Sequence, residues 1–297
     1  MLAMPSISDS FQQFCIALQK KRETVSTIQS RFKTITRRIN QNYWDSDSDD
    51  SHSIYVGSYG RGTSIYLSDI DIVVELPWEY YVKYNQYSWN GQSALLADLR
   101  MALMKTYSTS RIGADGQVVD ISFTDGVKFE VVPAFKYSDN SGFCYPDTNH
   151  GGSWETMNPV FEHWMFSIQN GKSNGNLQRL CQMLRAWKKK QNVQISGILI
   201  DTTAYWFLTN YQYADKSYIY YDWICRDYFK FLLDHSNKMI WDRPGHTGTA
   251  TFDVVIKSKA QYAYDKSMEA IHDGEEGLKH CWLEEWRDIF GADFPDV

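Results

Sequence analysis

The chain has 297 residues, 43% hydrophobic and 15% aromatic, enough for a sizeable core in one large or two closely packed domains. A formal net charge of −6 argues against the broad basic surface of a stable duplex-DNA binder, so nucleic-acid activation is not expected. With no run near the ~20 apolar residues of a membrane span, no basic start followed by an apolar block, and five scattered cysteines lacking a Cys-x-x-Cys pair, the expectation is a cytoplasmic protein with reduced thiols, no zinc site and no membrane partner.

Phe11, Phe14, Leu18, Val25, Ile28, Phe32, Ile35 and Ile39 recur at helical spacing, predicting one long or two consecutive helices over residues 7–43. Lys21 interrupts the heptad pattern, which favours packing on the protein's own flank over a coiled coil. An acidic loop from Asp45 to Ser53 leads to a strand at Ile54-Tyr55-Val56.

Next comes Gly57-Ser58-Tyr59-Gly60-Arg61-Gly62-Thr63, then a short helix and Ser68-Asp69-Ile70-Asp71-Ile72-Val73-Val74, a strand that Pro77 ends. Residues i and i+2 of a strand share a face. Asp69 and Asp71 therefore present paired carboxylates while Ile70 and Ile72 enter a core. Hard divalent ions bind through carboxylates plus substrate phosphates, and the Gly/Ser/Thr-rich turn offers backbone N–H groups and hydroxyls to a phosphate. An isolated Asp-x-Asp is ordinarily a solvated edge. The upstream Gly-Ser turn and the apolar run around the acids shift the reading to metal-assisted phosphoryl or nucleotidyl transfer.

Residues 91–107 read as a helix with Leu95, Leu96, Leu99, Leu103 and Met104 on one face. Val118 to Pro133 reads as a hairpin about Asp125-Gly126. With these two as the loop, Glu130 faces Ile121, Asp120 turns to the opposite side, and only one of the two acids joins the aspartate pair. Glu130 is the choice, because it interrupts an apolar strand. A three-residue loop would put both on one face. Residues 136–153 read as a loop. Helices follow at Leu177–Lys190, Ile195–Tyr211, Tyr218–Ser236 and within Lys257–Phe290, with a loop from Trp241 to Phe252 about Arg243-Pro244-Gly245.

These segments resemble the polymerase-β-like nucleotidyltransferase superfamily, and within it the bacterial cGAS/DncV-like nucleotidyltransferases. Gly57-Ser58 with Asp69-Ile70-Asp71 matches the superfamily signature. Phe129-Glu130-Val131-Val132-Pro133-Ala134 resembles the third-acid strand, Glu standing where Asp is usual. Trp154-Glu155-Thr156-Met157-Asn158-Pro159 resembles the crossing into a second lobe, Leu184-Arg185-Ala186-Trp187-Lys188 its basic helix, and Trp286 to Phe294-Pro295 the family's ending.

The resemblance implies an α+β fold: an N-terminal spine helix over 1–45, a catalytic core over 46–157 with a mixed sheet, and a helical lobe over 158–297, with an active-site cleft. It implies two Mg2+ ions, replaceable by Mn2+, held by Asp69, Asp71 and Glu130 as the catalytic and metal-binding residues. Ser58, beside Gly57, would meet the β or γ phosphate; Arg185 and Lys188 are candidates for the triphosphate tail. Ser196, before a helix, suits either a phosphate or a plain N-cap. Asn158 could read a base edge, Tyr205 a base face or the core, and Arg61 a phosphate or, preferably, solvent. The expected activity is synthesis of cyclic oligonucleotides, dinucleotides first, from nucleoside triphosphates by a monomer, in bacterial antiphage signalling through a downstream effector that senses the product. The alternative is a template-independent nucleotidyltransferase acting on RNA 3′ ends or on another acceptor.

Overall fold

Alternation along the aspartate strand sets the architecture of half the molecule: Ile70, Ile72 and Val74 are wholly buried on one face, while Asp71 and Val73 belong to the other. The structure, a computed structural model, describes residues 6–19, 22–65, 69–253 and 255–296, without the side chains of Arg22 and His246. Lys20, Lys21 and Ser68 of the sequence motifs lie outside the described residues.

In chain order the elements are α1 (Ile7–Ala17), α2 (Arg22–Tyr43), β1 (Ser53–Tyr55), the single-turn α3 (Gly57–Gly60), β2 (Ile70–Glu75), α4 (Trp78–Asn85), α5 (Gly91–Met104), β3 (Arg111–Asp115), β4 (Val118–Ser122), β5 (Lys128–Lys136), β6 (Phe143–Asp147) and β7 (Ser153–Met157). There follow α6 (Pro159–Lys172), α7 (Asn176–Lys190), α8 (Gly197–Asn210), α9 (Tyr221–Asp234), β8 (Ile240–Asp242), β9 (Thr249–Thr251), α10 (Val255–Glu275) and α11 (Lys279–Phe290). Two compact units result: residues 20–60 with 67–163, and residues 1–19 and 61–66 with 164–297. The N-terminal segment is thus not a body of its own. Its apolar stripe is cut near residue 20, α1 belonging to one unit and α2 to the other.

The first unit, residues 20–60 with 67–163, is built on a mixed sheet in the order β1-β2-β5-β4-β3, with β6 paired to the end of β5 and β7 to β6. Only the β2–β5 pair is parallel among these contacts. One face packs Ile72, Val74, Val119, Ile121, Phe129 and Val131 against Ile28, Ile35 and Ile39 of α2 and the leucines of α5. Asn90 starts α5 by accepting from Ser93 N at 2.9 Å, as N-cap residues do. Residues 136–153, expected to be a loop, contain β6 and the start of β7. Phe143 and Cys144 are buried and pair with Lys136 and Phe135, so packing on β5 overrides the Gly/Asn/Ser composition.

The second unit is helical. Phe11 and Phe14 of α1 meet the rings of the C-terminal motif, Phe11 at 5.2 Å from Trp286 and Phe14 at 5.1 Å from Phe294, contacts that add to plain area burial. Trp187, Phe229 and Tyr228 are fully buried in the same core. The Trp241–Phe252 segment is not all loop: β8 and β9 form a short antiparallel ribbon around Arg243-Pro244-Gly245. Among the described residues no helix is long and apolar enough to cross a membrane. All five cysteines are free, with only Cys281 exposed.

Candidate active site

The parallel pairing of β2 with β5 sets Asp71 opposite Glu130. In-register residues of neighbouring strands project to the same face, and Asp69, two residues ahead of Asp71, joins them. The three acids named from the sequence therefore share one sheet face. The face carries more than was expected. The hairpin loop is Thr124-Asp125-Gly126, three residues rather than two: Phe123 N donates to Val127 O at 2.9 Å, and Gly126 takes φ +85°. Asp125 Oδ1 accepts from Val127 N at 3.2 Å and Asp125 also pairs with Arg31 at 2.9 Å, which pins the turn. The extra residue shifts the register so that Asp120 pairs with Glu130 and Ser122 with Lys128. The two-residue expectation, with Asp120 on the opposite side, is corrected: a three-residue loop of this form ends in a left-handed residue, and Gly126 supplies it.

Lys128 is the cation that touches these acids. Its Nζ donates to Glu130 Oε1 at 2.6 Å and stands 4.0 Å from Asp69 Oδ2. The hydrogen bond to Glu130 raises its pKa, so it is an ammonium at neutral pH. The charges of Glu130, Asp69 and Asp120 all act on this one ammonium, and among the described residues no three acids converge on a single ion position.

Gly57 explains why the turn begins with glycine. Its φ is +60°, and a Cβ there would collide with Asp71 Oδ2. Val56 N donates to Asp71 O at 2.9 Å, tying the turn to the aspartate strand. The α3 turn thus brings Gly57 against the acid, with Ser58 next in the turn; the Gly57-Ser58 and Asp69/Asp71 motifs are brought together within one unit.

The basic candidates lie in the other unit and have separate fates. Arg185 Nη1 and Nη2 donate to Asp201 Oδ1 at 2.6 Å and Oδ2 at 3.0 Å. Arg61 Nη2 stands 2.9 Å from Asp201 Oδ2, and Thr63 Oγ1 donates to the same oxygen at 3.0 Å. Arg61, expected at solvent, is buried. Its charge is compensated by Asp201, 140 residues away, a partner no local pattern reveals. Burial alone would push the Asp201 carboxyl up; the Arg185 and Arg61 guanidiniums outweigh it and hold it below the usual carboxylate value. Gln178 and Gln182 donate to the carbonyls of Arg61 at 2.8 Å and Gly62 at 2.9 Å. Lys188 is different: half-buried, with no ion-pair or hydrogen-bond partner for its ammonium among the described residues. Burial, then the Arg185 charge, draws its pKa down.

Ser196 caps α8, its Oγ accepting from Leu199 N at 3.2 Å. Asn158 donates to Ser141 O at 2.8 Å and accepts from Phe161 N at 3.0 Å, so its amide holds backbone. Tyr205 is buried in the helical core. Sequence reasoning passed over Asp201 and Lys128. The first stood out as an acid directly after the apolar run Ile198-Leu199-Ile200, the second as a cation two residues before Glu130.

Residues 4–170 match the Second Messenger Oligonucleotide or Dinucleotide Synthetase domain family. A Bacillus cereus (strain VD146) protein named as a probable cyclic nucleotide synthase is 24% identical over 192 residues, 61% of this chain and 55% of that relative; the match thus spans about half of the relative's length. The fold is similar to that of E. coli CdnC solved with a HORMA protein, with a TM-score of 0.72, 15% identity, and coverage of 97% of this chain and 98% of that one. It is also similar to the CD-NTase CdnG of Bradyrhizobium diazoefficiens solved with GTP (0.68, 10%, 97% and 96%). For Vibrio cholerae DncV cyclic AMP-GMP synthase with the linear intermediate pppA(3′,5′)pG the values are 0.65, 16%, 97% and 87%. With its Gly-Ser turn and its acids assembled on a mixed sheet, the chain belongs to the second messenger oligonucleotide or dinucleotide synthetase family, the bacterial cGAS/DncV-like nucleotidyltransferases.

Proposed function

We propose that the chain is a metal-dependent nucleotidyltransferase that joins nucleoside triphosphates into a cyclic oligonucleotide, a cyclic dinucleotide first, as the signal of a bacterial antiphage response. The observation that carries this is the register of β2 and β5, which sets Asp71 beside Glu130, with Asp69 on the same face and Gly57 against Asp71. The oxygen-only donor set suits a hard divalent ion. Asp69, Asp71 and Glu130 would hold Mg2+ or Mn2+, which when bound lowers the pKa of an attacking ribose hydroxyl and offsets charge on departing pyrophosphate.

The chain's own groups do the rest by binding and orientation. Backbone N–H groups of the Gly57-Ser58 turn and the Ser58 hydroxyl would meet a phosphate. Lys188 carries an uncommitted ammonium suited to a triphosphate tail, whereas Arg185 is already engaged by Asp201. Ser196 and Asn158 are second-rank nucleotide contacts, since each is occupied with backbone. Two successive transfers of one kind would close a ring.

The test is incubation with ATP, GTP, CTP and UTP and either Mg2+ or Mn2+, then phosphatase treatment and mass spectrometry. A phosphatase-resistant cyclic product, absent from the Asp69→Asn/Asp71→Asn protein, is expected. Elongated RNA ends in place of a cyclic product would favour the tailing alternative.

A further inference from the structure

We propose that Lys128 is a built-in counter-ion of the acid face, which holds Glu130 and Asp69 while no divalent ion is bound and swings to Asp120 when one arrives. The inference rests on the proposed metal site.

Three observations carry it. Lys128 already stands where a divalent cation would compete for oxygen: its Nζ is 2.6 Å from Glu130 Oε1 and 4.0 Å from Asp69 Oδ2. An ammonium that close to a carboxylate oxygen and a divalent ion on the same oxygen repel each other, so occupancy by one requires displacement of the other. Lys128 also has somewhere to go. Asp120 is the direct cross-strand neighbour of Glu130, and Lys128 is the neighbour of Ser122, two residues along β4 from Asp120. Such diagonal positions are within reach of a long side chain. Finally, Asp120 is available. Its carboxylate leans over Gly113, where a Cβ would collide with Oδ1, and among the described residues it has no hydrogen-bond or ion-pair partner. Its charge already acts on Lys128, along with those of Glu130 and Asp69. The flexible four-carbon stem of lysine, with a point charge at its tip, suits such an exchange better than a forked guanidinium.

The consequence is two opposite effects from neighbouring side chains. Removing the competing cation with Lys128→Met should tighten divalent-ion binding by about tenfold. Removing its landing place with Asp120→Asn should weaken binding, by a factor of several. Lys128→Arg should stay near the wild type or below it.

The experiment is titration of Mn2+ into nucleotide-free full-length protein, read by the electron paramagnetic resonance signal of free Mn2+, with thermal unfolding of each variant as a check on folding. Tighter binding by Lys128→Met together with weaker binding by Asp120→Asn is the expected result. Unchanged, weaker or undetectable binding by folded Lys128→Met overturns the proposal, as does tighter binding by Asp120→Asn. Asp71→Asn separates the two levels. If that variant binds Mn2+ as the wild type does, the acids are not the metal site and the underlying reading fails; if it loses binding while Lys128→Met does not gain, only the role of Lys128 fails.

Discussion

The acid face of the sheet and the Arg61–Asp201–Arg185 cluster are both built from opposite charges, but in opposite proportions. In the helical unit one buried carboxylate is met by two guanidiniums and a hydroxyl, every distance near 3 Å or below. On the sheet, three carboxylates that are not fully buried, Glu130, Asp69 and Asp120, act on one lysine, with Asp71 beside Glu130. A buried carboxylate matched in this way has no capacity left for a ligand. An acid surplus at a surface costs free energy in self-repulsion and is held there by the pairing of the strands beneath it. The contrast fits a structural role for the first cluster and the proposed chemistry for the second, although both contain residues that sequence motifs single out.

That contrast can be broken most severely at Asp201. Asp201→Ala leaves two buried guanidiniums uncompensated and should lower stability by about 3–5 kcal/mol, measured by denaturant unfolding; a loss below about 1 kcal/mol would show the cluster to be slack. Asp71→Asn should do the reverse, cutting pyrophosphate release on the order of 10²–10³-fold while leaving the unfolding midpoint near the wild type. Gly57→Ala sharpens the geometry: placing a Cβ against Asp71 at φ +60° should cost about 1–2 kcal/mol in backbone conformation and reduce turnover with it, whereas normal turnover would show that the turn need not touch the acid.

Two further effects lie outside both clusters. Asp222, in the first turn of α9, has its pKa pushed up to about 6 by burial, against the pull of a hydrogen bond from Trp223 N and the charge of Arg226. Its folded value lies above its unfolded one, so the folded state holds the proton longer, and stability falls as pH rises from about 4 through about 6. Asp222→Asn should therefore leave stability unchanged near pH 3 and raise it by about 3 kcal/mol at pH 7, read from unfolding curves at the two pH values. Ser196→Ala should cost about 1 kcal/mol through loss of the α8 cap; a simultaneous rise in the KM for nucleotide would add a phosphate contact to that role.

Much of this site is legible in the sequence because its parts are local. Gly57-Ser58 and Asp69-x-Asp71 lie within fifteen residues of one another, and strand periodicity alone puts the acids on one face. Glu130 could be chosen because a charge in an apolar strand calls for a partner. Asp120 was misplaced by a single residue, Thr124, which joins Asp125-Gly126 in the loop, since one added residue turns every side chain of a hairpin over. Arg61 was misread for another reason: the acid that buries it is on α8, 140 residues away. Residues 143–147 escaped because their strand exists only through pairing with β5 and β7. The basic helix was located, but which of its cations is spoken for depends on Asp201, so Arg185 and Lys188 looked alike.

The most direct test of the central claim is metal-dependent pyrophosphate release from nucleoside triphosphates by the wild type and by Asp71→Asn, each with its unfolding midpoint measured in the same buffer. Release by the wild type, loss on the order of 10²-fold or more in the variant, and equal midpoints are expected. Undiminished release by a folded Asp71→Asn protein would contradict the claim.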